Sequence, residues 1–143
     1  MENTALKFPT EIIDLPSKGL VYPKESLLSE GKVEMKYMTA RSEDILTNQS
    51  YIEKGIVLDK LLEDLIVTKI NIKDLIVGDK NSLLIAARVL GYGKEYKFTL
   101  KGEEITVDLS ILENKEFDIA SGTNEFSFTL PHSGNEITYK ILT

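Results

Sequence analysis

Few side chains in this sequence could perform catalysis. His132 is the only histidine, and it lies in a Pro-His-Ser-Gly segment, where we expect an exposed turn residue and not a general base or a metal ligand. The chain has no cysteine, so the usual partners for a nucleophilic dyad or a zinc site are missing. We therefore expect a protein that is not an enzyme and that uses no metal or cofactor.

Acidic residues form three close pairs that general acid–base catalysis could in principle use: Glu43/Asp44, Asp59/Glu63 and Glu103/Glu104. The first pair falls in the first turn of a predicted helix, where the helix dipole favours negative charge. The second falls on the solvated face of a predicted helix, and the third at the tip of a predicted hairpin. Each pair is explained better by its structural position than by catalysis.

Gly91-Tyr92-Gly93 could be compared with a phosphate-binding loop. In dinucleotide-binding and P-loop proteins the order is strand, glycine loop, helix, whereas here a helix is predicted before the glycines and a strand after them. The carboxyl end of a helix also presents partial negative charge, which has the wrong sign for a phosphate. We interpret this segment as a structural turn.

A helix near residues 81–91 is expected to be the buried centre of the fold. Residues 83–92 are apolar, small or aromatic except for Arg88, and a helix that is apolar on all faces is normally enclosed by other elements. Asp79 or Asn81 could cap its first turn. Gly91 could supply the left-handed residue that ends it.

Arg88 is the most informative charge, because a guanidinium inside such a helix needs a partner. Burying the charge unpaired would cost several kcal/mol. We expect an acidic partner within the fold, and the candidates are Asp74, Asp79, Glu43 and Asp44. Contact with another protein is the alternative.

The other patterns predict an α+β fold with an N-terminal strand and turn, central helices and C-terminal antiparallel hairpins. Alternating residue types indicate strands at 11–15 and 32–38 and hairpins at 96–109 and 125–142. Residues 1–10 carry little pattern and are expected to form a flexible arm on a single domain spanning 1–143.

Two further helices are predicted between the strands and the central helix. Thr39 or Ser42 could cap the first, with Glu43 and Asp44 in its first turn. The second is amphipathic, because apolar residues recur at spacings of three and four. Its predicted buried face consists of Val57, Leu58, Leu61, Leu62, Leu65 and Ile66.

Composition limits the classes of partner. A net charge of −6 without a cluster of basic residues argues against nucleic-acid binding. No apolar run approaches the roughly 20 residues that a membrane span needs, and the N-terminus does not resemble a signal peptide. We expect a cytoplasmic protein whose partners are proteins, with homo-oligomers compatible with the sequence.

Two segments of the sequence resemble each other. Leu15-Pro16-Ser17-Lys18-Gly19 and Leu130-Pro131-His132-Ser133-Gly134 both lead into a strand that ends in Lys-x-apolar-Thr. In the first copy this threonine, Thr39, begins a helix, whereas the second copy ends at Thr143. One hypothesis is that the chain is a truncated piece of a longer protein, or a short family member that has lost a C-terminal helical segment. Coincidence between two common hairpin-like patterns is the alternative.

Four ordered segments carry a resemblance to one family: 15–23, 38–46, 77–81 with Ala-Ala-Arg-Val-Leu-Gly-Tyr-Gly-Lys-Glu-Tyr at 86–96, and Leu130-Pro131 with 137–143. Together they resemble the baseplate hub assembly proteins of T4-like contractile-tailed bacteriophages. Members often carry paired cysteines after the Gly-Tyr-Gly strand and tend to continue past the Leu-Thr at which this chain ends. Here Leu100-Lys101-Gly102-Glu103 occupies the cysteine position, so no metal site is carried over.

The resemblance implies a non-enzymatic tail morphogenesis factor that binds baseplate hub or tail proteins in the cytoplasm of the infected bacterium. A permanent structural component of the virion baseplate is the alternative. The structural or partner-contact candidates are Arg88, Asp79, Tyr92, Gly91, Gly93, Thr39, Glu43 and Asp44.

Overall fold

The computed structural model describes residues 8–116 and 122–143, and over these residues the fold is α+β, as predicted. The strands are β1 (Thr10–Asp14), β2 (Lys32–Lys36), β3 (Glu95–Leu100), β4 (Glu103–Asp108), β5 (Phe126–Thr129) and β6 (Glu136–Tyr139). The helices are α1 (Ala40–Leu46), α2 (Gln49–Glu53), α3 (Val57–Leu65) and α4 (Val77–Tyr92). Short 3-10 turns lie at Leu27–Glu30, Ile72–Asp74 and Leu109–Ile111. The strands form three separate antiparallel pairs, β1–β2, β3–β4 and β5–β6.

The first pair supplies one wall of the core. Val33 and Met35 alternate with more exposed residues along β2, and both side chains are buried, as the period of two predicts. The expected N-terminal arm, residues 1–10, falls mostly on residues 1–7, which lie outside the described residues. At residue 10 the expectation of an arm is wrong, because Thr10 is the first residue of β1 and pairs with Lys36 of β2.

The cap and the amphipathic face predicted for the first two helices are largely confirmed. Thr39 is the N-cap residue of α1, and its N–H donates to Ser42 Oγ at 3.2 Å. Leu61, Leu62 and Leu65 of α3 are buried in the core. Leu58 is exposed, so the buried face of α3 is narrower than expected.

Helix α4 differs from its prediction at both ends. It begins at Val77 with Ile76 as the N-cap residue, so neither Asp79 nor Asn81 caps it. It ends at Tyr92 and is followed by the C-cap residue Gly93, whose φ of +83° lies in the left-handed region and whose N–H donates to the carbonyl of Val89. Gly91 is therefore a helical residue and not the helix terminator. Its hydrogen in place of a side chain allows Met38 Sδ to approach the helix backbone closely.

The prediction that α4 is enclosed on all faces is wrong. Asp79, Leu83 and Ala87 are its buried residues, and their spacing of four places them along one face. Val77, Ile85 and Tyr92 are exposed. The physical reason is that the C-terminal hairpins remain separate two-stranded ribbons and form no continuous sheet that could cover the other face.

Both C-terminal hairpins form close to their predicted positions. Lys101 and Gly102, with φ values of 52° and 85°, make the two-residue turn between β3 and β4. Positive φ at both central residues is typical of the turn that joins tightly twisted strands. In the second hairpin the N–H of Leu130 donates to the carbonyl of Asn135 at 2.8 Å, which closes the turn between β5 and β6.

The second hairpin is attached to the core through its flanking residues. The side chain of Asn124 donates to the carbonyl of Ile141 and accepts the N–H of the same residue, at 2.7 and 2.8 Å. The carbonyl of Leu142 accepts the N–H of Val77 at 2.8 Å, which satisfies a free donor in the first turn of α4. In the described part of the chain, no helix has both the length and the apolar character needed to cross a membrane.

Candidate functional site

Asp79 is the most deeply buried of the predicted site residues, with 0% of its surface exposed. Its carboxylate accepts three hydrogen bonds: from Ser17 N at 3.0 Å, from Ser17 Oγ at 2.5 Å and from the Tyr22 hydroxyl at 2.6 Å. The Tyr22 oxygen in turn accepts the N–H of Ile76 at 3.1 Å. These contacts connect the turn after β1 to the first turn of α4. The arrangement is structural, because every polar group in it is satisfied internally.

Burial and the hydrogen bond to the Asp79 carboxylate raise the pKa of the Tyr22 hydroxyl well above its ordinary value. The phenol therefore stays protonated and remains a donor. Sequence reasoning missed Ser17 and Tyr22 as partners of Asp79. Both lie in the 15–23 segment that carries part of the family resemblance. The signal that could have identified them is that this short segment contains two hydroxyl side chains, Ser17 and Tyr22, which can donate to a carboxylate.

Arg88 has a different partner from the one predicted. Its guanidinium donates to the carbonyls of Gly93 at 3.1 Å and Glu95 at 3.3 Å, and lies 5.1 and 5.7 Å from the ring centroids of Tyr92 and Tyr96. No acidic side chain pairs with it in the described ranges, so the expected internal ion pair is wrong. The guanidinium is only half-buried, and backbone carbonyls and aromatic faces are sufficient partners at that depth.

Glu43 and Asp44 are exposed on α1. In the described residues their side chains form no hydrogen bond or ion pair with Arg88 or Asp79. The acidic residue that organises this region is instead Asp64 of α3. It accepts a hydrogen bond from Ser42 Oγ at 2.7 Å and pairs with Lys36 and Arg41 at 3.2 and 3.5 Å. A cleft of about 580 Å³ between the first three helices is lined in part by Asp44, but its charges are largely taken up by ion pairs such as Lys60–Glu63 at 2.6 Å.

The residues considered for catalysis do not converge. His132 is exposed in the turn between β5 and β6. Asp59 pairs with Lys80, and Glu103 and Glu104 point to opposite faces of their ribbon because they are neighbours in β4. Over residues 8–116 and 122–143, no group of three or more metal-ligating side chains is placed to hold an ion.

Exposed apolar residues occur over much of the described chain, and on two ribbons they share one face. On β3–β4, one face carries the cross-strand pairs Tyr96/Val107, Phe98/Ile105 and Leu100/Glu103, and the other carries Glu95/Asp108, Lys97/Thr106 and Thr99/Glu104. We call the first of these the β3–β4 apolar face. Tyr96, Phe98 and Leu100 are 44%, 37% and 53% exposed, respectively. The face is therefore open to solvent although all of its residues except Glu103 are apolar or aromatic.

The second ribbon has the same division. Phe126/Tyr139 and Phe128/Ile137 share one face, which we call the β5–β6 apolar face, and Ser127/Thr138 and Thr129/Glu136 share the other. Phe128, Ile137 and Tyr139 are 53%, 43% and 49% exposed, whereas Phe126 packs against the core. No charged residue belongs to the two cross-strand pairs of the apolar face. Sequence reasoning predicted both hairpins but not that their apolar faces are uncovered.

The structural or partner-contact candidates therefore fall into a buried network around Asp79, a helix cap at Thr39 and a junction around Arg88. The candidate interaction surface lies on the two ribbons. Comparison with known proteins adds no further assignment, because no protein-family model, curated protein or solved structure matches this chain.

Proposed function

We propose that this protein is a non-enzymatic assembly factor that binds baseplate hub or tail proteins during morphogenesis of a contractile phage tail. The resemblance of segments 15–23, 38–46, 77–81 with 86–96, and Leu130-Pro131 with 137–143 to baseplate hub assembly proteins supplies the biological setting. The observation that carries the interaction role is the exposed β5–β6 apolar face. Such patches on soluble domains commonly mark sites of contact with other proteins.

The chemistry of the β5–β6 apolar face favours a protein partner. Phe128 and Tyr139 offer aromatic surface, the residue class that dominates binding energy at protein interfaces. Since the two cross-strand pairs carry no charge, the face offers no cation for the phosphate contacts that dominate nucleic-acid affinity. The partner surface that fits is apolar and shaped to receive two projecting aromatic rings.

The base of the β5–β6 ribbon is held to the rest of the fold by hydrogen bonds and packing. Asn124 forms two hydrogen bonds with Ile141, and the carbonyl of Leu142 accepts a hydrogen bond from Val77 in the first turn of α4. Phe126, at the base of the ribbon, is partly buried and packs against the core. The exposed rings are therefore carried on an element whose base is fixed, which lowers the ordering entropy that binding would otherwise cost.

The test is affinity capture of the tagged protein from bacteria infected with the phage that encodes it, followed by identification of captured proteins by mass spectrometry. We expect a baseplate hub protein with the wild type and a loss of at least about 10-fold in its recovery with Phe128→Asp. Thr129→Asp is the matched control, because it adds the same charge one residue away on the opposite face. Capture of no hub or tail protein, or equal capture by both variants, would contradict the proposal.

A second measurement separates the assembly factor from a permanent baseplate component. We expect mass spectrometry to detect this protein in infected cells but not in purified virions. Its presence in virions in a fixed ratio to baseplate proteins would reject the transient role and support the structural one.

A further inference from the structure

The β3–β4 apolar face carries opposite charges at its two ends. At the base, the Arg88 guanidinium lies 5.7 Å from the centroid of the Tyr96 ring. At the tip, Glu103 is the cross-strand partner of Leu100. Between them lie the pairs Tyr96/Val107 and Phe98/Ile105. The surface is thus a short apolar stripe with a cation at one end and an anion at the other.

Neither terminal charge is neutralised within the chain, as far as the structure describes it. Arg88 donates to the carbonyls of Gly93 and Glu95 but pairs with no carboxylate there. The Glu103 carboxylate has no hydrogen-bond or ion-pair partner among the same residues. By contrast, Asp108 on the polar face is paired with Lys94 at 3.1 Å. Lys97 and Glu104 on that polar face also lack an ion pair in the described residues, so Arg88 and Glu103 are distinguished by flanking the apolar pairs.

We propose that the β3–β4 apolar face binds the same face of a second copy of this chain, in a two-fold dimer with the ribbons running in opposite directions. A two-fold axis across the strands places Phe98 on Phe98 and Ile105 on Ile105 of the second copy. It also places Tyr96 on Leu100 of the second copy. The reversal brings Glu103 of each copy to the end that holds Arg88 of the other, so both unpaired charges gain partners.

Charge complementarity selects a second copy and this orientation. With the ribbons parallel, Arg88 would face Arg88 and Glu103 would face Glu103, and such like-charge contacts disfavour an interface. The stripe is short compared with the roughly 20–30 residues on each side of a standard interface. The dimer should therefore be weak, with a dissociation constant of about 10–100 μM.

Sedimentation equilibrium of the full chain, from about 5 to 500 μM, tests the dimer. Glu103→Arg should raise the dissociation constant by about 10-fold or more, because it faces Arg88 of the other copy. Glu104→Arg makes the same change in net charge on the adjacent residue of the polar face, and it should leave the constant unchanged. The double variant Arg88→Glu with Glu103→Arg restores opposite charges across the axis and should recover association.

A wild type that is monomeric at 500 μM, or equal weakening by Glu103→Arg and Glu104→Arg, would overturn the proposal.

A second experiment does not depend on the charges and exploits the absence of cysteine from the chain. Under mild oxidation, Ile105→Cys should form a disulfide-linked dimer efficiently, whereas Thr106→Cys on the opposite face should not. Equal cross-linking of the two variants would also overturn the proposal.

The dimer goes beyond the proposed assembly role and uses a different ribbon. Phe128→Asp, which tests binding of hub proteins, lies on β5 and should leave the dimer intact. Conversely, loss of the dimer in Glu103→Arg does not by itself abolish capture of a hub protein. The two proposals can therefore fail separately.

Discussion

The hydroxyl of Tyr22 lies 2.6 Å from Oδ2 of Asp79, although 57 residues separate them in the chain. Together with the two hydrogen bonds from Ser17, this contact fixes the turn after β1 against the start of α4. A buried carboxylate without a cation is tolerated here because three donors converge on it. Much of the relative placement of the N-terminal segment and α4 should depend on this one side chain.

Replacement of Asp79 by alanine is expected to be strongly destabilising, because it leaves the buried donors of Ser17 and Tyr22 without an acceptor. We expect a loss of about 3–5 kcal/mol in the free energy of unfolding. Urea denaturation followed by circular dichroism measures it. Asp74→Ala, at an exposed position five residues earlier, should change stability by no more than about 0.5 kcal/mol. Similar losses in both variants would argue against the role of the network.

The raised pKa of Tyr22 predicts a loss of stability in alkaline solution. Above a pH of about 10 the unfolded chain releases this phenolic proton while the folded chain retains it. The unfolded state then binds fewer protons, so stability falls as pH rises, at no more than about 1.4 kcal/mol per pH unit for this group. Below that pH the contribution is constant.

Urea denaturation at several pH values between 9 and 11 should show a shallower decline for Tyr22→Phe than for the wild type. Tyr51→Phe, outside the Asp79 network, should retain the wild-type slope. Identical slopes in all three proteins would show that Tyr22 titrates alike in the folded and unfolded states.

Two glycines at opposite ends of α4 should respond to alanine with opposite signs. Gly93 has φ +83° and ψ 172°, a region accessible almost only to glycine, so Gly93→Ala should cost about 1–3 kcal/mol. Gly78 lies inside the helix with open space where an alanine Cβ would lie, so Gly78→Ala should stabilise by up to about 1 kcal/mol. Thermal denaturation of the two variants compares them directly. A stabilising Gly93→Ala would contradict the observed helix end.

Arg88→Met tests the junction between α4 and β3. The methionine keeps the apolar stem but removes two hydrogen bonds to the carbonyls of Gly93 and Glu95 and the contact with two aromatic rings. We expect a loss of about 1–2 kcal/mol, since the site is half-exposed and water can solvate the freed carbonyls. Chemical denaturation measures it, and Arg88→Lys should recover only part of the loss. Unchanged stability would mean that these contacts contribute nothing to the fold.

The sequence alone determined the local elements of this protein. The two hairpins, the cap at Thr39 and most of the buried face of α3 follow from residue preferences and from periods of two and 3.6. The first turn is shorter than the predicted 101–104, because Glu103 already pairs with Leu100. These features depend on neighbours within a few residues. They could therefore be predicted without knowing how the chain closes on itself.

The tertiary structure alone decided which surfaces are covered. The sequence predicts Asp79 or Asn81 as a helix cap, whereas Asp79 is a buried acceptor because Ser17, 62 residues away, folds against it. Helix α4 was predicted to be enclosed, yet one side stays open because the hairpins do not join into a sheet. Burial depends on contacts between segments distant in sequence, and an apolar side chain has the same periodicity whether another element covers it or solvent does.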